Sequence, residues 1–228
     1  MTMKQNTDRI SIQVGLSGYS FKIQAGDEMR SSDWMSADRI FTTSELQRRY
    51  DEVEISVFTP KFTLVPQQFY SIEGMRSLLS DVVTIKDDEY VDSIELPELS
   101  AVLIYSNTIG ESLSAVISET VLSVDGVKSR PLPFVYQMLK SIGNIPDYNR
   151  ILAAYMDGIL YLVIAQGNTL LLCNSYVAPD FTTAQYFIFL AMKKLQLNPE
   201  MSAITFMTHL DEEQEMSLYR YFRSVEHI

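Results

Sequence analysis

The sequence is poor in the residues that most often carry redox, metal or nucleophilic chemistry. Its 228 residues include one cysteine, two histidines and one tryptophan. Cys173 cannot form an internal disulfide, and the preceding run Leu170-Leu171-Leu172 predicts a buried thiol with a raised pKa, which is unsuited to a thiol enzyme. Because a chain without disulfides is typical of a reducing compartment, we expect a cytoplasmic protein.

Histidine is too scarce for the usual hydrolases. Only His209 and His227 could act as a base, and His227 lies near the end of the chain, where we expect a frayed segment. The segment Gly15-Leu16-Ser17-Gly18 also lacks the residue that separates the serine from the second glycine in a nucleophile elbow. A serine hydrolase is therefore not expected.

Clusters of metal ligands are equally sparse. His209 could join Asp211 and Glu215 around a metal, but acids in the first turn of a predicted helix are explained by the helix dipole, and no second histidine or cysteine is near. Asp87-Asp88-Glu89 with Asp92 lacks the spaced ligands and central glycine of a calcium loop, so we expect a solvated turn there. We predict no metal site.

Positive charge is also in short supply. Lys and Arg number 18 against 29 Asp and Glu, which gives a formal net charge of −11. The pairs Arg48-Arg49 and Lys193-Lys194 are isolated and form no basic stripe. Because an acidic surface repels phosphate backbones and anionic head groups, neither nucleic acid nor a membrane surface is expected as a partner.

Long apolar runs are missing as well. Nowhere do ~18 uncharged apolar residues follow one another, as a membrane-spanning helix requires. The first eight residues, Met1 to Asp8, have no apolar core and contain an acid, so they do not resemble a secretory signal. We expect no membrane insertion.

What the sequence does contain is period-two alternation, which predicts strands. Ile10 to Val14 and Tyr19 to Ile23 alternate on either side of Gly15-Leu16-Ser17-Gly18, and this pattern indicates a hairpin. We expect a third strand that ends near Ile40-Phe41. A helix that starts at Thr42-Thr43-Ser44-Glu45 and a strand with Val53, Ile55 and Val57 on one face follow.

The same order recurs after Asn149, with clearer turns. Three β-rich runs, Ile151 to Met156, Ile159 to Gln166 and Thr169 to Val177, are separated by Asp157-Gly158 and Gly167-Asn168. These dipeptides tolerate the positive φ of two-residue hairpin turns, so the three runs predict an antiparallel meander. The remaining predicted elements are helices over Phe181–Leu197, Asp211–Phe222, Pro66–Ser80 and Pro131–Ile142 and strands over Ala203–Met207 and Ala101–Tyr105.

A duplicated order of three strands, a helix and a strand is similar to the paired ribonuclease H-like lobes of actin-like ATPases. Several segments also resemble a family of uncharacterised Bacteroidetes proteins with an actin-like ATPase fold. The segments that carry the resemblance, besides the meander, are Phe62-Thr63-Leu64-Val65-Pro66, Phe181-Thr182-Thr183-Ala184-Gln185-Tyr186-Phe187 and Leu218-Tyr219-Arg220-Tyr221-Phe222. It implies an α/β fold of two ribonuclease H-like lobes in an actin-like ATPase arrangement, with mixed sheets that open with β-meanders.

The chain divides most naturally near Gly143-Asn144-Ile145-Pro146-Asp147, a stretch rich in turn-forming residues. We therefore predict a first ribonuclease H-like lobe over residues 1–145 and a second, shorter one over residues 146–228.

The resemblance also implies where a nucleotide would bind. Actin-like ATPases use an Asp-x-Gly-Thr/Ser type loop in the first hairpin of each lobe, in which glycine backbone cradles phosphate and the carboxylate positions a metal-bound water shell. The first hairpin here keeps Gly15, Ser17 and Gly18 but has Gln13 where the carboxylate would stand, and a neutral amide is a poor ligand for magnesium.

The second lobe departs from that pattern too. Asp157-Gly158 has an acid and a glycine, but they are adjacent, and Ile159-Leu160 follow in place of a hydroxyl residue. After the strand over Ala203–Met207, Thr208-His209-Leu210-Asp211 contains no glycine for the adenosine. We predict that Gly15, Ser17, Gly18, Asp157 and Gly158 mark a vestigial nucleotide site.

Aromatic residues are plentiful, with 13 Tyr and 11 Phe, and they cluster at Tyr186-Phe187-Phe189 and Tyr219-Tyr221-Phe222. Tyrosines with an exposed polar tip suit protein contacts. The leading hypothesis is a non-catalytic actin-like scaffold or adaptor with no cofactor, which acts through an unidentified protein partner or as a homo-oligomer. The alternative is an ATPase that binds ATP with magnesium through atypical phosphate loops.

Overall fold

The computed structural model of the chain describes residues 8–108 and 111–228, so the expectation for residues 1–7 lies outside it. The chain forms two compact units, each built from several stretches. One contains the described residues of Met1–Lys61, Ile85–Asp92 and Tyr105–Phe134, and the other contains Phe62–Thr84, Ser93–Ile104 and Val135–Ile228. The lobe boundary between residues 145 and 146 stays a prediction.

The first unit is built on a five-stranded mixed sheet. Its strands lie in the order β3-β2-β1-β4-β8. Ile12 of β1 lies opposite Phe21 of antiparallel β2 and opposite Ile55 of parallel β4, and all three side chains are buried. The strands are β1 (Asp8–Val14), β2 (Tyr19–Ala25), β3 (Glu28–Ser31), β4 (Glu52–Val57) and β8 (Leu132–Pro133).

A long insertion separates β4 from β8. It includes a three-stranded sheet in the order β5-β7-β6, whose central strand β7 is the predicted strand over Ala101–Tyr105 and buries four of its five residues. The elements are β5 (Phe62–Pro66), α1 (Met75–Ser80), β6 (Asp92–Leu96), β7 (Ala101–Tyr105) and α2 (Glu111–Thr120).

The second unit repeats the sheet order of the first. Its strands lie in the order β11-β10-β9-β12-β13, and β9, β10 and β11 form the predicted meander. Asp157 and Gly158 both have positive φ, 51° and 73°, which fits a two-residue hairpin turn. The strands are β9 (Asn149–Met156), β10 (Ile159–Gln166), β11 (Thr169–Val177), β12 (Ala203–Phe206) and β13 (Ser224–His227).

Two helices cover one core of the second unit, and a third, α3 (Phe134–Ser141), precedes β9. α4 (Phe181–Lys194) buries Ala184, Ile188 and Met192 against the sheet, and α5 (Glu212–Tyr219) buries Leu218 in the same cluster. Both five-stranded sheets therefore follow the ribonuclease H-like order, which confirms the predicted duplication.

Two predictions for the first lobe were wrong in their details. The third strand is β3, not a segment that ends near Ile40-Phe41; Ile40 lies in a 3₁₀ helix over Ala37–Thr42. The expected helix after Thr42 is a single 3₁₀ turn, Ser44–Gln47. All four residues of β3 are exposed, so they lack the alternation that identifies a strand, and only backbone pairing with β2 makes them one.

The predicted starts of two helices were wrong, because each was placed at a proline. Pro66 ends β5, and α1 begins only at Met75; Pro133 belongs to β8, and α3 begins at Phe134. Proline favours an extended residue before it and is tolerated at edge strands, so it can end a strand as readily as start a helix. The expected fraying at His227 was also wrong, because His227 lies opposite Phe206 in the parallel pair β12–β13.

Candidate functional site

The first hairpin turn joins β1 to β2 and contains three of the predicted site residues. Gly15 donates its backbone N–H to the Gly18 carbonyl at 2.9 Å, so this amide is used within the turn. Tyr19 and Met35 exchange two backbone hydrogen bonds of 2.8 and 2.7 Å directly beside it. A Cβ on Gly18 would collide with the Met35 carbonyl, so the glycine is required by this close approach of two backbones.

Trp34 lies against the same turn. Its Nε1 donates a hydrogen bond to the Ser17 hydroxyl at 2.9 Å, and its ring packs edge-on against Phe58, with 6.3 Å between ring centroids. Phe58 in turn stacks on Phe134 at 4.2 Å. The hydroxyl that the resemblance assigns to a phosphate loop therefore accepts a hydrogen bond from an indole that belongs to an aromatic stack.

The second turn is as short as a hairpin allows. Met156 and Ile159 are paired across it, so Asp157 and Gly158 are its only loop residues. The Gly158 carbonyl accepts a hydrogen bond from the Ala178 N–H at 2.8 Å, which ties the turn to the end of β11. The predicted site residues thus occupy two hairpin turns at equivalent positions of the duplicated sheets, one in each unit.

A cavity of about 330 Å³ in the first unit, lined by both apolar and polar groups, was not expected from the sequence. On one wall the Arg130 guanidinium pairs with the Asp92 carboxylate and donates a hydrogen bond to the Tyr105 hydroxyl at 2.6 Å. Burial, reinforced by Asp92 and opposed by Arg130, raises the pKa of Tyr105 to about 12. Tyr105 is therefore a neutral hydrogen-bonding group at physiological pH.

Small side chains on α2 leave this cavity open. Ser114, Ala115 and Ser118 line it on the side of the helix, where larger residues would fill it. Asn107 donates through Nδ2 to the Pro131 carbonyl at 2.7 Å, while its buried Oδ1 meets no hydrogen-bond donor among the described residues. The lining offers hydroxyls, an amide, the Arg130–Asp92 ion pair, the Glu119 carboxylate, which pairs with Lys128, and apolar groups, so it suits an uncharged molecule with both apolar and polar groups better than an anion.

A second, larger cavity of about 650 Å³ lies between β2, β3 and the 3₁₀ turns that follow. Its lining contains three acids and several hydroxyl residues, and it also contains four of the chain's 18 basic residues: Arg30, Arg39, Arg48 and Arg49. The pKa of Glu45, one of the three acids, is lowered by a backbone hydrogen bond, by Ser44, and by Arg48 and Arg30 nearby. The five predicted site residues do not line either cavity.

The acidic clusters have structural roles in this chain. Asp211 caps α5, where it accepts from the Gln214 N–H at 2.8 Å, and Glu215 faces His227 at 3.5 Å. The expectation of a fully solvated turn at Asp87-Asp88-Glu89 was wrong for Glu89, which is buried and forms an ion pair with Lys61. Within residues 8–108 and 111–228, no three His, Cys, Asp or Glu side chains are grouped as metal ligands.

Cys173 lies in the middle of β11, half-buried, and burial raises its pKa to about 12. The thiol is therefore protonated at neutral pH, as the sequence predicts. Among the helices that the structure describes, none is both long and apolar enough to cross a membrane.

Four rings of the aromatic clusters, those of Tyr186, Phe187 and Phe189 on α4 and of Tyr221 just after α5, are here called the aromatic surface of the second unit, whereas Phe222 is buried in the core. Its half-buried rings are in contact: Phe187 stacks on Tyr176 at 4.7 Å, and Phe189 packs edge-on against Tyr221 at 5.0 Å. The rings of Tyr186 and Tyr221 remain 60% and 53% exposed. Aromatic rings held by their neighbours lose little entropy when a partner covers them.

Sequence patterns did not identify Trp34 or Arg130, whose side chains make the hydrogen bonds described above at the first hairpin turn and in the smaller cavity. Trp34 lies in a polar stretch without periodicity, and Arg130 is a single basic residue in a turn-rich segment. Their partners Ser17 and Asp92 are 17 and 38 positions away along the chain. The only available signal was that Trp34 is the sole tryptophan of the sequence.

The duplicated sheets and their hairpin turns define the actin-like ATPase fold, which agrees with solved structures. A protein of unknown function with an actin-like ATPase fold from Bacteroides thetaiotaomicron matches with a TM-score of 0.73 and 18% identity over 100% of this chain and 94% of that one. The chain belongs to the family described as Protein of unknown function (DUF3822), whose model matches residues 2–225.

Two further solved structures share the fold at lower similarity. The cytoplasmic domain of EpsL, an inner membrane component of the type II secretion system of Vibrio cholerae, gives a TM-score of 0.54 at 12% identity over 90% of this chain and 84% of that one. A structure of the PilM-PilN type IV pilus biogenesis complex gives 0.54 at 11% over 98% and 88%. Among curated proteins, no sequence matches this chain.

Proposed function

We propose that this chain is a non-catalytic protein of actin-like fold that acts as a scaffold or adaptor through protein contacts. The observation that carries the proposal is the state of the two hairpin turns at the phosphate-loop positions. In the first turn, the Gly15 amide donates to the Gly18 carbonyl and the Ser17 hydroxyl accepts from Trp34. In the second turn, two residues stand where a phosphate-binding loop would be longer.

These turns fit a magnesium nucleotide poorly. Phosphate cradles present several backbone N–H groups that are free to bind an anion, together with a carboxylate that orients the metal-bound water. The first hairpin has Gln13 instead of a carboxylate, and Trp34 already uses the hydroxyl. Because site and scaffold are separable, a fold can persist without its usual chemistry.

The aromatic surface supports a role in protein contact. Tyrosine and phenylalanine are enriched at the centres of interfaces, where they bury a large area with few rotatable bonds. The cytoplasmic domain of EpsL and a chain of the PilM-PilN complex share the fold, and they are described as parts of a secretion system and of a pilus biogenesis complex. By analogy with them we propose a protein partner here, in the cytoplasmic setting predicted from the single cysteine.

Nucleotide titration tests whether the chain lacks nucleotide binding and ATPase activity. We expect isothermal calorimetry and thermal-shift measurements with ATP and magnesium to show no saturable binding below about 1 mM, and no release of phosphate. Micromolar binding that weakens in Gly15→Ala or Asp157→Ala, but not in the control Gly143→Ala, would establish the alternative, an ATPase with atypical loops. Gly143 is a suitable control because an added Cβ there meets no atom within 4 Å.

Site-specific photo-crosslinking in the protein's own cells tests whether the aromatic surface contacts a protein partner. A benzophenone side chain placed at Tyr186 or Tyr221 should capture a defined protein, whereas the same group at Tyr148, an exposed tyrosine outside the aromatic surface, should not. If all three positions give no adduct, or the same adducts, the aromatic surface is not the contact.

A further inference from the structure

The smaller cavity of the first unit, about 330 Å³, has the size of a small-molecule site. Ligand pockets in proteins occupy roughly 300 to 1,000 Å³ and combine apolar walls with a few polar groups. None of the residues that line this cavity belongs to the two hairpin turns or to the aromatic surface. A ligand bound here would therefore be a property of the chain beyond the proposed scaffold role.

The Arg130 side chain is held on the cavity wall by three contacts. Its guanidinium pairs with Asp92, donates to the Tyr105 hydroxyl at 2.6 Å, and lies over the Tyr105 ring, 5.8 Å from the ring centroid. The polar groups of this wall are thus already ordered before a ligand arrives. Binding to ordered groups costs less conformational entropy than binding to mobile ones.

The Tyr105 hydroxyl has a proton to donate into the cavity. The side chain is 1% exposed, and its hydroxyl accepts from Arg130, but no hydrogen bond within the described part of the chain uses the hydroxyl's own proton. Asn107, which lines the same cavity, has the complementary group, because its buried Oδ1 meets no donor among the described residues. A buried donor and a buried acceptor are costly to leave without partners. A ligand that supplies an acceptor and a donor would satisfy both.

The charges on the lining favour an uncharged ligand. Both carboxylates are already paired: Asp92 with Arg130, and Glu119 with Lys128, whose Nζ lies 2.5 and 2.6 Å from the two carboxylate oxygens. An anion would have to compete with Asp92 for the guanidinium, and a cation would have to compete with Arg130 or Lys128 for a carboxylate. An uncharged molecule leaves both ion pairs intact.

The lining also provides apolar surface for the body of a ligand. Ala115 of α2 and Pro131 lie on it, and so does Tyr90, whose side chain is 73% exposed. An aromatic ring that packs against the Tyr90 ring would remove apolar surface of both from water.

We propose that this cavity binds a small uncharged molecule that combines an apolar ring with a hydrogen-bond acceptor and donor, the chemistry of an aromatic carboxamide. The ligand's carbonyl accepts from the Tyr105 hydroxyl, and its N–H group donates to the Asn107 Oδ1. The ring covers Tyr90 and Ala115.

Benzamide, benzoate and benzamidinium test the proposal, because they have nearly the same shape but are uncharged, anionic and cationic. We expect benzamide to shift the amide NMR signals of cavity residues such as Asn107 and Ser118 saturably at millimolar concentration. Both charged probes should bind at least about tenfold more weakly. The proposal is overturned if benzamide gives no saturable shift at these residues up to about 20 mM, or if a charged probe binds as tightly.

Matched variants test whether benzamide occupies the cavity. Ala115→Leu should weaken its binding at least about tenfold, because the larger side chain fills the cavity from an exposed helix position where it meets no core. Ser77→Leu is the control: Ser77 is an exposed small residue of α1 that does not line the cavity, and this variant should bind as the natural chain does.

Tyr105→Phe tests the hydrogen bond, since it removes the hydroxyl but keeps the ring and the Asp92–Arg130 pair. Benzamide binding should weaken about three- to tenfold. Equal binding by Ala115→Leu and Ser77→Leu, or unchanged binding by Tyr105→Phe, contradicts the assigned site. The same NMR spectra show whether each variant folds, and the titration of the natural chain requires no variant.

Discussion

Gly18 illustrates how a residue chosen for function by sequence pattern can have a structural reason to be present. The glycine lies in the turn that the resemblance assigns to phosphate, yet its immediate neighbour is the Met35 carbonyl. The backbone bonds between Tyr19 and Met35 hold the two chains so close that no side chain fits between them. A glycine pattern is therefore weak evidence for a ligand when a close backbone approach explains it.

We expect Gly18→Ala to lower the free energy of unfolding by at least about 2 kcal/mol, because the added methyl collides with backbone that cannot rotate away. Gly143→Ala, where the methyl meets open space, should change it by less than about 0.5 kcal/mol. Urea denaturation of the two variants measures the difference. Equal effects would show that the Met35 contact does not constrain position 18.

At the scale of elements, α5 shows why sequence signals at helix ends are informative. The acids at its start match the helix dipole, and the structure adds a specific hydrogen-bond geometry. Asp211 accepts from the Gln214 N–H, and the Gln214 side chain accepts from the Asp211 N–H at 3.1 Å, which forms a capping box. The first turn is thus held by two reciprocal bonds that need only local sequence.

Replacing Asp211 by alanine should cost about 1 kcal/mol of stability, because an N–H at the start of α5 loses its acceptor. Asp211→Asn should retain most of the stability, since asparagine caps helices about as well as aspartate. Thermal unfolding of both variants distinguishes a capping role from a charge effect. If the two variants lose the same stability, the charge matters and the cap does not.

For the whole molecule, buried tyrosines link stability to alkaline pH. Burial raises the pKa values of Tyr50, Tyr105, Tyr155 and Tyr161, so the folded chain keeps phenolic protons that the unfolded chain releases near pH 10. The folded-state pKa values lie above the unfolded ones. This contribution to stability is therefore complete below pH 10 and is lost as the pH rises toward the folded pKa values.

Tyr105 should account for about 2–3 kcal/mol of that loss between pH 10 and 12, from its shift to a pKa of about 12. In Tyr105→Phe, the unfolding free energy should fall less steeply over this range than in the natural chain. Tyr148→Phe, which removes an exposed hydroxyl, should keep the natural slope. Urea unfolding at pH 8, 10 and 11 measures the slopes, and identical slopes in all three proteins would contradict the assignment.

The sequence by itself determined the features that depend on neighbours along the chain. The meander of β9, β10 and β11 could be predicted because dipeptides that tolerate positive φ separate its strands, and Asp157, Gly158 and Gly167 do have positive φ. The start of α5 followed from its acids. The duplicated order, and with it the fold class, rested on such local signals together with the resemblance.

Only the tertiary structure decided the features that depend on distant partners. β3 has no buried residue, so pairing with β2 alone makes it a strand, and Glu89 is buried because Lys61 lies beside it. The fold brings Ser17 into contact with Trp34, and it brings Asp92 into contact with Arg130. No local sequence pattern encodes either contact. Periodicity reports which face of a segment is buried, but it does not report which segment lies next to it.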